Sequence, residues 1–286
     1  MKKAASLILI LCLSLTLCAC ASQSSDEPGA EPTMPAETLD LSIYAKEEGV
    51  LSREVWYNTD GLKFSTVIYE YDGNGQLVKE STLGINDAPV GYKQYERDEN
   101  GNATSITSYV ADGPEEYSEE YRTVYEYNDS GLKVKETSFV GDEAASTTMY
   151  AYEADRLVSE KLYEGSELIA ECAYEYDENG RLTASTRTDN IEGTAVVKSY
   201  TYDDKGRVIS VSTATDGSVT GRTDYTYDDN GNELTRKDYG AGNELLSSVK
   251  NEYAYDEPGN MIKCTRTQDD SGQVTVIEYS WMYSKG

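Results

Sequence analysis

The chain has 286 residues and no histidine, and 52 acidic residues against 25 basic ones give it a formal net charge of −27. This charge repels phosphate backbones and argues against a nucleic-acid partner, and the lack of histidine removes the usual catalytic base, imidazole metal ligand and triad partner. The aromatic residues are 25 tyrosines with only two tryptophans and two phenylalanines, so an aromatic core must be built from tyrosine.

Residues 1–19 are predicted to be a lipoprotein signal peptide. Lys2 and Lys3 precede the apolar run "AASLILILCLSLTL", which is short for a membrane span and typical of an export signal. The following "LCAC" resembles a bacterial lipobox ending at Cys20. The resemblance implies cleavage before Cys20 and a diacylglyceryl thioether on its sulfur, with the chain anchored in the bacterial cell membrane and facing outward. The alternative is an ordinary secretory signal with incidental cysteines.

Residues 20–40 are predicted to be the lipidated cysteine and a disordered tether. The segment "ASQSSDEPGAEPTMPAETLD" holds Pro28, Pro32 and Pro35 and no aromatic residue. Such a composition buries too little apolar surface to order itself, so it is expected to act as a spacer between the anchor and residues 41–286.

Residues 41–286 form one repeat array. A phrase of the type "YEYDENGRL" recurs every 24 to 30 residues, and a degenerate copy of it begins earlier, at Ile43. Spacing of this kind is the signature of a repeat architecture. The first tyrosines of the phrases are Tyr69, Tyr95, Tyr125, Tyr150, Tyr174, Tyr200, Tyr225, Tyr253 and Tyr279.

Each phrase predicts a β-hairpin. In Y-x-Y the two tyrosines point to the same face of a strand, and D-x-x-G is typical of a tight turn in which Asp accepts backbone hydrogen bonds and Gly adopts a left-handed conformation. An apolar residue such as Leu77 or Leu182 then opens the next strand. Looser turns such as "TDG" at 215–217 return the chain to the next phrase.

The predicted fold class is therefore all-β, a repeat array of antiparallel β-hairpins. About 18 to 20 strands should form one long sheet, curled or spiral because neighbouring strands twist in one hand. Its concave face is expected to carry the tyrosines and the Leu/Val/Met row, and its outer face the Thr, Ser, Lys and Glu positions.

The paired tyrosines are the predicted ligand-facing residues, and we refer to them as the tyrosine ladder. Repeated amphipathic rings on one face suit recognition of a ligand, although they also suit packing of the sheet. The ladder consists of Tyr69, Tyr71, Tyr125, Tyr127, Tyr174, Tyr176, Tyr200, Tyr202, Tyr225, Tyr227, Tyr253 and Tyr255.

The phrases "YEYDENGRLT" and "GRTDYTYDDNGNEL" resemble the tyrosine-aspartate (YD) repeat of the Rhs and teneurin-like proteins. The resemblance covers about residues 43–286 and implies an extended, curling hairpin sheet, which in large members closes into a shell around a toxin or other cargo. This chain is far shorter than those members. We therefore expect a short, surface-anchored YD-repeat lipoprotein rather than a fragment related to an Rhs-type toxin system.

The acidic turns are the only candidates for catalysis or metal binding. The pairs Asp203/Asp204 and Asp228/Asp229 occur once per repeat, which favours a turn role over acid–base catalysis. "DENGN" at 98–102 is similar to a calcium loop, but Gly101 stands at the fourth position and Tyr109 at the twelfth, so an EF-hand is excluded. We expect no catalytic residue, no metal site and no cofactor, with weak calcium binding left open.

Two cysteines remain after the signal and Cys20 are set aside. Cys172 and Cys264 lie several repeats apart, roughly 30 Å in a linear stack, which is beyond disulfide reach. The sequence therefore predicts two free thiols.

Two functions of different class remain. The first is a non-catalytic binding module for cell-envelope carbohydrate or protein, such as a cell-wall glycan, in which many weak contacts add up. The alternative is a structural spacer or assembly component with no small-molecule ligand. Exposed ladder rings in one groove would favour the first, whereas buried rings would favour the second. Choline-binding repeats are a related possibility, but they are rich in tryptophan, and only Trp56 and Trp281 occur here.

Overall fold

The computed structural model describes residues 49–257 and 259–283. The predicted signal peptide, the lipidation of Cys20, the tether and the copy at Ile43 lie outside these residues. They stay predictions.

The described residues form 18 antiparallel strands, in agreement with the predicted number. The one helical segment among the described residues is a short 3-10 turn at Ile85–Asp87. The described part of the chain therefore has no helix that is long and apolar enough to cross a membrane. The strands are β1 (Gly49–Tyr57), β2 (Lys63–Tyr71), β3 (Leu77–Leu83), β4 (Pro89–Arg97), β5 (Ala103–Ala111), β6 (Tyr117–Tyr127), β7 (Lys133–Val140), β8 (Glu143–Glu153), β9 (Arg156–Glu164), β10 (Glu167–Tyr176), β11 (Leu182–Asp189), β12 (Ala195–Tyr202), β13 (Val208–Thr215), β14 (Ser218–Tyr227), β15 (Glu233–Gly240), β16 (Leu245–Tyr255), β17 (Met261–Gln268) and β18 (Gln273–Tyr283).

The D-x-x-G turns form as predicted. In the turn between β2 and β3, Asp72 Oδ1 accepts hydrogen bonds from the amides of Asn74 (2.8 Å) and Gln76 (2.9 Å). Gly75 closes the turn with φ +78°, a left-handed conformation that costs glycine little because it has no Cβ. The same arrangement recurs between β12 and β13, around Asp203 and Gly206.

One phrase lacks the glycine and uses a shorter turn. Glu153 pairs directly with Arg156, so only Ala154 and Asp155 connect β8 to β9. Both residues have positive φ, 49° and 62°. This is the geometry of the two-residue hairpin turns that follow the twist of the flanking strands, here reached without glycine.

The sheet closes into a barrel. Consecutive strands pair along the whole array, and β1 pairs with both β2 and β18. Val55 lies opposite Glu278 in this closing pair, and the Ser52 hydroxyl donates to the Ser280 carbonyl at 2.9 Å. The predicted open, curled or spiral sheet is therefore wrong. Twist that accumulates over 18 strands brings the last strand against the first, and their pairing satisfies two rows of backbone groups that an open sheet would leave exposed.

The two faces of the sheet differ in burial. The tyrosines of each Y-x-Y and the apolar residue after each turn share one face, on which Leu51, Tyr69 and Leu77 form a buried cluster. The residue between the two tyrosines, such as Glu70 or Glu175, is exposed. Because the tyrosine side is the more buried one in these phrases, we call it the inner face and the opposite side the outer face. The expectation that tyrosines and apolar residues share a face is confirmed.

Candidate functional site: tyrosine lattice and outer cleft

The second tyrosine of most phrases binds the backbone of the preceding hairpin. Tyr202 Oη donates to the Leu182 carbonyl at 2.6 Å, and Leu182 is the first residue of β11. A chain of such bonds joins each hairpin to the one before it. The other tyrosine donors and their acceptors are Tyr71 to Leu51, Tyr127 to Ala103, Tyr152 to Lys133, Tyr176 to Leu157, and Tyr227 to Val208, at 2.6 to 2.8 Å.

The contact is kept where the second tyrosine is not the donor. Arg97 replaces it in "YER", and its Nε donates to the Leu77 carbonyl at 3.2 Å. In the last phrase the indole Nε1 of Trp281 donates to the Met261 carbonyl at 2.9 Å. In β16 the first tyrosine, Tyr253, donates to Glu233 at 2.6 Å. The bond to the preceding hairpin is therefore kept, although the residue that donates it differs between phrases.

Several first tyrosines meet carboxylates on the inner face. Tyr69 donates to Glu54 at 3.1 Å, and Tyr95 donates to Glu80 at 3.2 Å. Glu54 is 2% exposed and also accepts a bond from the Trp56 indole at 3.1 Å. A buried carboxylate needs such donors because its desolvation is costly.

Burial shifts the ionisation of this face. It raises the pKa of Glu54 and raises the pKa of Glu160 to about 7. Burial and the nearby carboxylates also raise the pKa of Tyr69 and of Tyr150. These tyrosines stay protonated and act as hydrogen-bond donors throughout the physiological range.

The structure places all twelve ladder residues on the inner-face side of the strands that end in the phrases. Tyr69 and Tyr174 are buried, most of the others are half-buried, and Tyr255 is 36% exposed. Tyr255 contacts the turn before it, where Asn232 Nδ2 donates to its hydroxyl at 2.6 Å. The ladder is spread around the barrel wall and does not converge on one point. Its predicted contact with a ligand stays a prediction.

The acidic turns use their oxygens locally. Asp98 Oδ1 accepts from the amides of Asn100 and Asn102, and its Oδ2 accepts from Asn102 Nδ2 at 2.9 Å. Hydrogen bonds from the Gln76 and Asn74 amides hold the pKa of Asp72 below its ordinary value. In the part of the chain that the structure describes, no group of three or more carboxylate and thiol side chains could hold a metal ion.

Neither Cys172 nor Cys264 forms a disulfide, as predicted, and both side chains are buried. Cys172 lies on β10 and Cys264 on β17, and both point to the inner face with their neighbouring tyrosines. Burial raises the pKa of Cys172, so its thiol is a poor nucleophile.

A cleft of about 520 Å³, here called the outer cleft, lies on the outer side of β4, β5 and β6. Ser105 and Thr107 on β5 supply small side chains between larger ones on the flanking strands. The principal residues that line the outer cleft are Glu96, Ser105, Thr107, Tyr109, Glu119 and Arg122.

A cluster of three tyrosines adjoins the outer cleft. The rings of Tyr92 and Tyr109 stack with centroids 4.5 Å apart, and Tyr117 meets Tyr92 edge-on at 5.0 Å. Gly91 permits this close strand pairing, because a Cβ there would come within 2.2 Å of the Tyr109 carbonyl oxygen. Lys79 Nζ lies 4.7 Å from the centre of the Tyr92 ring.

Sequence reasoning missed two parts of this arrangement. Glutamates of the inner face stand at the fourth residue of a recurring stretch, which was a readable signal. They are Glu80 in "LVKE" and Glu160 in "LVSE", which are buried, and Glu136 in "KVKE", which is half-buried. The outer tyrosines are different. Tyr92 and Tyr117 lie outside the Y-x-Y register, and only the pairing of β5 with β4 and with β6 brings them beside Tyr109.

Comparisons with known proteins give one family match. The teneurin YD-shell family model matches residues 109–276. No curated protein matches the sequence.

Solved structures resemble the chain only distantly. A porin-like protein from Bacteroides uniformis is 11% identical, with a TM-score of 0.45 over 81% of this chain and 96% of that one. A porin-like protein from Bacteroides vulgatus is 14% identical, with a TM-score of 0.33 over 81% and 98% of the two chains. The TcdB2-TccC3-Cdc42 structure is 12% identical, with a TM-score of 0.23 over 79% of this chain and 19% of that one. Likeness at this level carries no functional argument.

Proposed function

The chain belongs to the teneurin YD-shell family, and from that premise we propose that it is a lipid-anchored, non-catalytic binding module of the bacterial cell envelope. The Cys20 lipid holds it at the membrane, and the barrel faces outward. The recognised partner is a component of the envelope. The acidic surface leaves no role for nucleic acid.

The outer cleft is the observation that carries this proposal. The hydroxyls of the inner tyrosines mostly bind the chain's own backbone or carboxylates, as Tyr202 and Tyr69 do. Among the described residues, the hydroxyls of Tyr92, Tyr109 and Tyr117 have no hydrogen bond, and these rings lie on the outer face beside a cleft with carboxylates and an arginine. Aromatic rings with a few polar groups in a concave surface are typical of ligand sites.

A structural spacer is the second candidate. The bonds from the second tyrosines to the preceding hairpins support it, since a lattice of this kind makes the array rigid whether or not anything binds. The acidic surface would keep such a spacer soluble and apart from other polyanions.

Binding to isolated cell-wall sacculi and to membranes tests the module. The full-length chain, solubilised in detergent, is sedimented with each fraction, with and without calcium. We expect saturable co-sedimentation that Glu96→Lys abolishes, because a long cation would then occupy the outer cleft. Glu175→Lys is the matched control, since both glutamates follow the first tyrosine of a phrase and Glu175 lies on β10, four strands beyond the cleft.

Failure of the wild-type chain to sediment with either fraction would leave the spacer as the better account. Equal loss of binding in both variants would place the binding surface elsewhere. The anchor is tested separately by metabolic labelling with an alkyne-bearing fatty acid. Cys20→Ala should abolish the label and release the chain from membranes.

A further inference from the structure

We propose that the outer cleft binds a short, non-acidic oligosaccharide, whose pyranose ring stacks on Tyr109. This inference rests on the proposed binding function and names its ligand class. It assigns the site to residues outside the tyrosine ladder.

Tyr109 supplies the stacking surface. Tyr92 covers one side of its ring at 4.5 Å with an interplanar angle of 20°. Tyr109 also lines the outer cleft, and the proposal places the sugar on the side of its ring away from Tyr92. Tyr92 is itself held by Tyr117 and Lys79, so the ring of Tyr109 rests on a fixed support. A flat, backed aromatic ring suits the apolar face of a sugar.

The rim of the cleft offers both hydrogen-bond donors and acceptors. Glu96 accepts a bond from the Ser105 hydroxyl at 2.8 Å, which orients its carboxylate and leaves acceptor capacity. Arg122 lies 3.7 Å from Glu119 and 4.9 Å from the Phe139 ring centre, so its guanidinium is also held in place. Carboxylate and guanidinium groups can each make paired hydrogen bonds, as adjacent sugar hydroxyls require.

Charge selects against acidic glycans. Two carboxylates and one guanidinium line the cleft, which leaves it net negative, and the whole chain carries −27. A uronate or a phosphate-bearing polymer would be repelled both locally and at a distance. Neutral sugars are not repelled, and the ammonium group of an amino sugar is attracted by the carboxylates of Glu96 and Glu119.

The size of the cleft fits a short ligand. Its volume of about 520 Å³ lies within the usual range of about 300–1,000 Å³ for ligand sites. The small side chains of Ser105 and Thr107 form its floor, and both residues are nearly fully buried, so the floor has little freedom to move.

The test measures binding of soluble trisaccharides to the full-length chain in detergent by calorimetry. The probes are chitotriose, its deacetylated form and trigalacturonate. We expect the first two to bind and trigalacturonate not to bind. Tyr109→Ala should weaken binding about tenfold or more, since a lost aromatic stack and its burial exceed about 1.4 kcal/mol.

Tyr239→Ala is the matched control. Tyr239 is the seventh residue of β15 as Tyr109 is of β5, and a cation, Arg222, lies 4.4 Å from its ring centre. Glu96→Gln, which removes charge and keeps shape, should lower affinity for the deacetylated probe more than for chitotriose. Thermal unfolding of each variant verifies that it folds.

Equal binding of trigalacturonate, or unchanged affinity in Tyr109→Ala, would overturn the proposal. A third outcome is that no trisaccharide binds, while the chain still co-sediments with sacculi or membranes and Glu96→Lys abolishes that co-sedimentation. In that case the glycan assignment is wrong and the binding module stands. If neither sugars nor envelope fractions bind, both fail.

Discussion

The hydroxyl of the second tyrosine in each phrase links one hairpin to the next. Tyr202→Phe removes the donor to the Leu182 carbonyl and keeps the ring. Since the carbonyl loses its partner in a half-buried setting, we expect the free energy of unfolding to fall by about 1 kcal/mol. Urea unfolding followed by circular dichroism measures the change.

Tyr163→Phe serves as the control for this variant. Tyr163 is half-buried on β9, and the structure gives its hydroxyl no partner among the described residues. A loss in Tyr163→Phe as large as in Tyr202→Phe would contradict the proposed role of the bond.

The buried Glu160 makes stability depend on pH. Burial raises its pKa from 4.5 to about 7, so the folded chain holds a proton that the unfolded chain has released between these values. The resulting stabilisation is fully present below pH 4.5 and is lost as pH rises through 7. From pH 5 to pH 8 we expect a loss of about 2–3 kcal/mol from this group.

Comparison with Glu160→Gln isolates this contribution. The free energy of unfolding of the wild type should fall more steeply between pH 5 and pH 8 than that of Glu160→Gln. Glu175→Gln, at an exposed position of the neighbouring strand, should follow the wild type. The turn aspartates do not contribute to the change between pH 5 and pH 8. The pKa of Asp72 is lowered, so the stability that such a carboxylate contributes is lost only at more acidic pH. Identical pH profiles for the wild type and Glu160→Gln would refute the assignment.

At the scale of the hairpin, the turn glycines set the strand connections. Gly73 and Gly75 lie in the same turn, and a Cβ at either would meet no atom within 4 Å. They differ in backbone conformation, because only Gly75 has positive φ. The pair therefore separates conformational strain from steric contact.

Gly75→Ala should lower the free energy of unfolding by about 1–2 kcal/mol, since its left-handed conformation disfavours a Cβ. Gly73→Ala should leave stability unchanged or raise it by up to about 1 kcal/mol, because it restricts the unfolded chain without strain. Differential scanning calorimetry of the two variants is the measurement. Equal destabilisation would mean that the turn's left-handed residue does not limit stability.

At the scale of the whole molecule, closure removes the two sheet edges. Side chains reinforce the seam between β1 and β18, where the Thr59 hydroxyl donates to the Val274 carbonyl at 3.2 Å and accepts from the Val274 amide at 2.8 Å. An open array of this length would expose unpaired backbone at both ends and invite edge-to-edge association.

A double-cysteine variant tests the closure. Val55→Cys with Glu278→Cys places two thiols directly opposite across the seam, where paired side chains lie about 5 Å apart. Mild oxidation of the native monomer should form the bond, and peptide mass mapping identifies it. Val55→Cys with Glu126→Cys is the control, since β1 and β6 are not neighbours. An absence of the seam bond in folded protein would favour an open sheet.

The candidate site was predictable only where it followed the repeat. The ladder tyrosines and their shared face follow from the period of two in a strand. The partners of their hydroxyls do not, because Tyr202 binds a carbonyl 20 residues earlier through the pairing of neighbouring strands. The outer cleft could not be predicted, since Tyr92, Tyr109 and Tyr117 share no register in the sequence and meet only through three adjacent strands.

Local chemistry in the sequence accounts for the hairpins, their turns and the number of strands. Asp72 and Gly75 act within a few residues of each other, and the spacing of two in Y-x-Y places both tyrosines on the same face of the strand. Closure of the barrel was decided only by the tertiary structure. Whether β18 meets β1 depends on twist and stagger summed over all 18 strands, a quantity that no single repeat contains.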